Sequence, residues 1–376
     1  MRPLRNAARG SLSATSAYRW PSLDHLVAMT DDVGVLQHAI FDVPNRTCGY
    51  CTDDVGRALI VACDAAGRAG ATGDEIPADG ARLVSTYLAF LHDAQLSDGS
   101  FHGFMGYDRR WQDQRGTHDA IGRAVWGIGY AERHAPRDSW RSVAGGMRRR
   151  ALDAVPELAY IRSRAYAALG LVHALAARPD DELALRAVLG AALEPIAAAY
   201  DAHAAPDWAW CENVMTYDNG RLCEALLRGG AALANQRFVD TGLAMLDFYA
   251  AVTIEGDGPG SAHTLFVPVG SDGWYPRGGE KSRRGQQPLE AAALVGAAFA
   301  ALDVTGDPRW REVAEIAHGW YLGRNTHRAV LATESGCRDG LDDDLNANMG
   351  AESTICYLMS AIALATRASS SLRAVR

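Results

Sequence analysis

The chain has little that is long and uniform. No stretch approaches the ~20 consecutive apolar residues that cross a bilayer, and "MRPLRNAARGSLSATSAYRW" at the start has no apolar core of signal-peptide length. A membrane partner is therefore not expected, and a cytoplasmic location is. Runs of β-branched residues are few, which argues against a sheet-rich fold. Clustered cations are also scarce. The net charge is −8, and "RRR" at Arg148 to Arg150 and "EKSRR" at Glu280 to Arg284 are too short to track a nucleic-acid backbone. Of the seven cysteines, Cys48 and Cys51 form the one CxxC, with no second CxxC or nearby His pair to complete a zinc site. The others lie mostly in apolar segments, as small hydrophobes of a reducing compartment do. "GPGS" and "RGGEKS" lack the strand-turn-helix setting of a phosphate loop. No metal and no cofactor is expected.

What the chain does have is abundant Ala and Gly within 376 residues that are 48% hydrophobic, enough for a large core of closely packed helices. The phrase "GYCTDDVGRALIVA" from Gly49, a polar acidic entry into a helix of small and aliphatic residues, recurs in kind. Its echoes begin at Thr117 ("THDAIGRAVWGIGYA"), Ile161 ("IRSRAYAALGLVHALA"), Thr216 ("TYDNGRLCEALLRGGAALA"), Gln286 ("QQPLEAAALVGAAFAALD") and Ala351 ("AESTICYLMSAIALA"). The starts lie roughly 40 to 70 residues apart, too irregular for a solenoid of identical units. Five helices of another character alternate with them, "ARLVSTYLAFLHDAQ" for example, with one wet face. "WPSLDHLVAM" offers a sixth outer position. The pattern predicts an all-α fold, an (α/α)6 barrel over residues 21–376, preceded by a flexible extension over 1–20.

Turns from an inner helix to the next outer one are short, and turns leading back to an inner helix are long. Long loops in a compact domain usually carry function. In such a barrel they gather on one face, at the inner-helix N-termini. The residues they bring there include Asp53, Asp54, His118, Asp119, Trp210, Glu212, Tyr217, Asp218, Trp274, Arg277, Gln287, Glu290, Asp343 and Glu352. A floor of acids walled by aromatics suits an oligosaccharide, whose hydroxyls bond carboxylates while its C–H faces lie on rings.

Each acid has a plainer reading. Helix N-termini favour carboxylates as caps, and Arg57, Arg123 and Arg221 follow Asp54, Asp119 and Asp218 at spacings that allow local ion pairs. Several anions in one hollow nevertheless repel, which raises some pKa values and leaves a general acid and a base, the usual pair for glycoside hydrolysis. Glu212, flanked by aromatics in "WAWCENVMTYDN", is the expected acid, with Asp54 or Asp119 as base in an inverting reaction. The other residues named are expected to bind substrate, Glu290 and Glu352 through its hydroxyls. Arg277 in "GWYPRGG" keeps inorganic phosphate open as a co-substrate.

The segments "TDDVGVLQHAIFDVPNRTCGYCTDDVGRALI", "YDNGRLCEALL" and "GAESTICYLMSA" resemble a bacterial family of (α/α)6 toroids in the six-hairpin glycosidase-like group, found alone or fused behind glycosyltransferase domains. The resemblance runs from about Ser22 to Ala365. It implies handling of mannose- or glucose-containing glycans and fixes no catalytic residue. The alternatives to hydrolysis are a sugar epimerase or isomerase, which needs a His or similar base pair facing one ring, a glycoside phosphorylase, and a non-catalytic glycan-binding toroid.

Overall fold

The computed structural model describes residues 18–72, 77–178, 181–258, 261 and 263–374. Among these, twelve α-helices follow in order: α1 (Asp24–Ala28), α2 (Thr52–Thr72), α3 (Ala78–Ala94), α4 (His118–His134), α5 (Asp138–Ala151), α6 (Ile161–Ala177), α7 (Glu182–His203), α8 (Asn219–Leu233), α9 (Gln236–Thr253), α10 (Pro288–Thr305), α11 (Arg309–Gly319) and α12 (Ala351–Ala374). Local chemistry sets many of the boundaries. Thr117 opens α4 by accepting the Ala120 N–H (3.2 Å), and Asn235 does the same for α9 through Phe238 N–H (3.4 Å). Pro288 stands in the first turn of α10, where its missing N–H costs nothing, and Gly306 ends that helix at φ 70°.

The even-numbered helices from α2 to α12 form a closed inner ring, each packed on the next and α12 returning to α2. The helices α3, α5, α7, α9 and α11 each pack outside the inner helix that precedes them. This is the (α/α)6 barrel expected from the repeats. The sixth outer position differs, since the "WPSLDHLVAM" segment forms only the five-residue α1 against α12. His25 there bonds Met349 O through Nε2 (2.8 Å), so a side chain and loops do the work of a long helix. Of the expected extension 1–20, residues 1–17 lie outside those described. The last residues of that span pack on the barrel instead of extending from it: Tyr18 lies edge-on to His318 (5.8 Å) and Trp20 lies under Arg68 (4.8 Å).

Two helices, α7 and α10, are long and apolar enough to span a membrane, contrary to the expectation that no segment is. The apolarity of α10 has a structural cause, because it is an inner helix walled by protein on every side.

The long loops meet around one rim. Tyr50–Cys51 pairs with Phe104–Met105, and Val214–Met215 with Tyr275–Pro276. Gln286 bridges Leu341, and Met349 N–H donates to Phe41 O. The loops before α2, α4, α8, α10 and α12 are thereby stitched into a collar at the inner-helix N-termini.

Close approach of inner helices depends on glycine. A Cβ on Gly129 of α4 would fall 2.2 Å from Gly170 O of α6, and one on Gly170 would fall 2.2 Å from Val125 O. Backbone cannot give way as a flexible side chain can, so Gly170→Ala is expected to destabilise by about 1–3 kcal/mol or more. Gly146, inside α5, has nothing within 4 Å of the added Cβ, and Gly146→Ala should stabilise by roughly 0.5–1 kcal/mol by restricting the unfolded chain. Urea unfolding of the two variants checks both signs.

Candidate active site at the ring mouth

The first turns of the inner helices bring acids and arginines together inside the collar. Arg123, one turn into α4, donates through Nη1 to both oxygens of Asp53 on α2 (2.9 Å each). Its Nη2 reaches Asp218 Oδ2 (2.9 Å) and the Tyr166 hydroxyl of α6 (3.0 Å), and the guanidinium lies over the Tyr166 ring at 4.4 Å. Arg57 on α2 donates from Nη2 to Asp54 Oδ1 (2.8 Å) and to Glu352 Oε2 on α12 (3.0 Å). Two buried guanidiniums thus join α2, α4, α6, α12 and the start of α8.

Only part of this follows the expected local pairing. Arg57 does pair with Asp54 three residues away, and Arg221 lies 3.8 Å from Asp218 while bonding Glu224 more closely (2.5 Å). Arg123 bypasses Asp119. That carboxylate instead accepts from Ser163 Oγ (2.5 Å) and the Tyr217 hydroxyl (2.7 Å).

Burial separates the acids into two groups. Asp54, Asp218 and Glu290 are buried, whereas Asp53, Asp119, Glu212 and Glu352 are half-buried. Desolvation pushes the Asp54 carboxyl up to about 7 against the opposing pull of Arg57, with Glu352 and Asp53 adding to the rise. Burial also lifts Glu290 to about 7, against the hydroxyl of Tyr249. At Asp218 burial pushes upward too, but Arg123 and Arg221 outweigh it and hold the carboxyl below its ordinary value.

Glu290 does not present its carboxylate to a ligand as expected. It is 1% exposed and accepts from the Asp218 N–H, Asn219 Nδ2 (3.2 Å) and the Tyr249 hydroxyl (2.7 Å). Asp218 sits at φ 51°, a left-handed conformation that is uncommon for a residue with a Cβ. Glu290 therefore positions the strained residue that carries the Asp218 carboxylate.

Five further expected site residues stand as follows. Glu212 is ion-paired with the buried Arg162 (2.9 and 2.8 Å), which holds its carboxylate as the partner of a cation. Trp210 is fully buried, 6.0 Å from the Tyr249 ring, so it is core and not wall. Arg277 bonds His203 O (3.0 Å) and faces Asp207 at 3.8 Å, which ties it to the end of the outer helix α7. Asp343 pairs with Arg284 (2.9 Å) on an exposed loop. His118 accepts the Ala159 N–H at Nδ1 (2.9 Å), with Tyr160 edge-on at 5.3 Å.

Tyr217 and Trp274, 6.5 Å apart, stand beside Asp119 as half-buried rings, with the Arg162 guanidinium 4.9 Å above Tyr217. Gln287 holds the half-buried position before α10, where its side chain makes no cap bond. Sequence reasoning missed Arg162, Tyr166, Asn219 and Tyr249. The signal for Arg162 was present, because it is a cation in the first turn of an inner helix, as Arg57, Arg123 and Arg221 are cations one turn in.

No family model and no curated protein matches the sequence. Solved structures do match. Cellobiose 2-epimerase from Bacillus thermoamylovorans B4167 superposes with a TM-score of 0.68 at 10% identity, covering 92% of this chain and 95% of that one. The chain shares the (α/α)6 toroid fold with these proteins. A D-mannose isomerase matches this toroid at TM-score 0.65 and 9% identity, over 92% and 94% of the two chains. An α-1,6-mannanase of Salegentibacter sp. HEL1_6 matches at 0.57 and 11% identity, over 91% and 96%. That structure is of an inactive variant, with two adjacent aspartates changed to asparagine, in complex with α-1,6-mannotriose.

The buried carboxyls give the toroid a pH signature. Asp54 titrates higher folded (about 7) than at its ordinary 3.8, so the folded state binds the extra proton and the associated stability is lost as pH rises from about 4 to about 7. Asp54→Asn removes that titration. Thermal unfolding across this range should show a shallower decline for the variant than for the parent, and parallel curves would contradict the assignment.

Proposed function

We propose that the toroid is a glycoside hydrolase of mannose- or glucose-containing oligosaccharides, with the adjacent pair Asp53 and Asp54 at its centre. The observation that carries this reading is the pair itself. It opens the first inner helix at the mouth, and a structurally similar mannanase is described as inactive when two adjacent aspartates are replaced. Asp54, buried and raised to about 7, keeps a proton to give to the glycosidic oxygen as that bond breaks. Asp53, half-buried with both oxygens on Arg123, is the partner carboxylate that acts on the anomeric carbon directly or through water. Glu352 orients Asp54 by sharing Arg57. Asp119, Tyr217 and Trp274 form the substrate wall, where a sugar's hydroxyls and C–H faces meet a carboxylate and two rings.

Epimerisation is the second reading, supported by the likeness to the epimerase and the isomerase. It calls for a base pair facing one sugar ring. The two histidines in the loop and helix entry nearest the mouth are each tied to backbone, His102 to Asp113 O (2.9 Å) and His118 to the Ala159 N–H.

Incubation with a panel of manno- and gluco-oligosaccharides separates the readings. Shortened products are expected, with kcat reduced about 10²- to 10⁴-fold in Asp54→Asn and Asp53→Asn at unchanged circular dichroism. Isomerised products without shortening would establish the second reading, and saturable binding without any product would refute both. Proton NMR of the first-formed product reports whether configuration is inverted, the outcome expected from the sequence.

A further inference from the structure

The other end of the toroid holds a cavity that the mouth chemistry does not use. Its volume is about 310 Å³, within the range of small-molecule sites, and all six inner helices contribute to its wall. On one side His134 of α4 and His173 of α6 share a hydrogen bond, Nε2 to Nδ1, at 3.1 Å. The Tyr130 ring packs on both imidazoles (4.3 and 4.7 Å) while its hydroxyl donates to Asp64, which occupies that carboxylate.

The permanent charges acting on His173, Arg228 and Arg133, are both positive. Burial pushes His134 down to about 4 and holds His173 well below its ordinary value. Both rings are therefore neutral, one donating to the other, on a wall that carries Arg133 and Arg228 together with Asp64 and Glu224. Arg228 engages Glu224 through Nε (2.9 Å) and lies 3.5 Å from Asp303 through Nη1. Arg133 is exposed on the cavity lip and has no hydrogen-bond or ion-pair partner among the described residues. Helix-end electrostatics accounts for Arg133 and His134 in the last turn of α4. It does not account for a hollow of about 310 Å³ beside them.

We propose that this cavity is a second ligand site for a small organic phosphate of the hexose monophosphate class. The phosphate sits on Arg133, Arg228 and the His134–His173 pair, where guanidinium forks match its oxygens. The sugar lies against the half-buried Tyr130, Met359 and Ala363 of the cavity wall. The site is independent of the mouth chemistry and stands or falls separately from it.

Isothermal titration calorimetry of the full chain with glucose 6-phosphate, mannose 6-phosphate, free mannose and inorganic phosphate tests this. Saturable one-to-one binding of a hexose phosphate is expected, at least tenfold tighter than inorganic phosphate or free mannose. It should be unchanged in Asp54→Asn and weakened at least tenfold in Arg133→Glu, a lip substitution that leaves the core intact, and in His134→Gln. No binding of either hexose phosphate, equal affinity for inorganic phosphate, or loss in Asp54→Asn with no effect of Arg133→Glu would each overturn the proposal.

Discussion

Arg123 is the interaction on which the mouth depends. A guanidinium taken out of water is costly unless its donors are met, and here Asp53, Asp218 and Tyr166 meet those of Nη1 and Nη2 from three other segments of the ring, leaving Nε without a hydrogen-bond partner. By bonding all three, the side chain fixes α2, α6 and the start of α8 relative to α4. A planar fork can do this where a flexible ammonium cannot. The composition agrees, since Lys281 is the sole lysine in the chain. It too is used structurally, donating to Val252 O (2.7 Å), Val267 O (2.9 Å) and Glu255 (3.0 Å) in the collar.

The same arrangement decides the chemistry available. Carboxylates that would repel one another in an empty hollow are sorted by which of them face an arginine and which are merely buried. Asp218 is held low by Arg123 and Arg221, while Asp54, whose burial and two neighbouring acids outweigh Arg57 and Arg123, is held high. A set of like residues thereby acquires unlike protonation, which acid–base catalysis requires. Glycine contacts between α2, α4 and α6 are the condition for it, because only a backbone separation that small lets side chains from four helices reach one another across the axis.

The helical ring was legible in the sequence because its causes are local. Apolar periodicity, the Thr117 cap and Pro288 at a first turn act over a few residues, and so does the acid-rich entry that placed Asp53, Asp54, Asp119, Asp218 and Glu352 at helix starts. The sixth outer position misled for the converse reason: the apolar segment around Leu26 is buried by α12 and the loop at Met349 without needing to be a long helix.

Residue type and spacing thus determined the elements, their alternation and the rim on which the acids stand. They could not determine where side chains on the long loops point. Trp210 turns into the core, Arg277 toward α7 and Asp343 to an exposed arginine, although all three belong to loops that feed the mouth. Nor could they show that Arg123 passes over the acid on its own helix for two from other segments, or that Glu290 supports Asp218 from below. Those choices are made by distances between residues up to 95 positions apart in the chain. Burial and charge pairing at that separation exist only once the ring has closed.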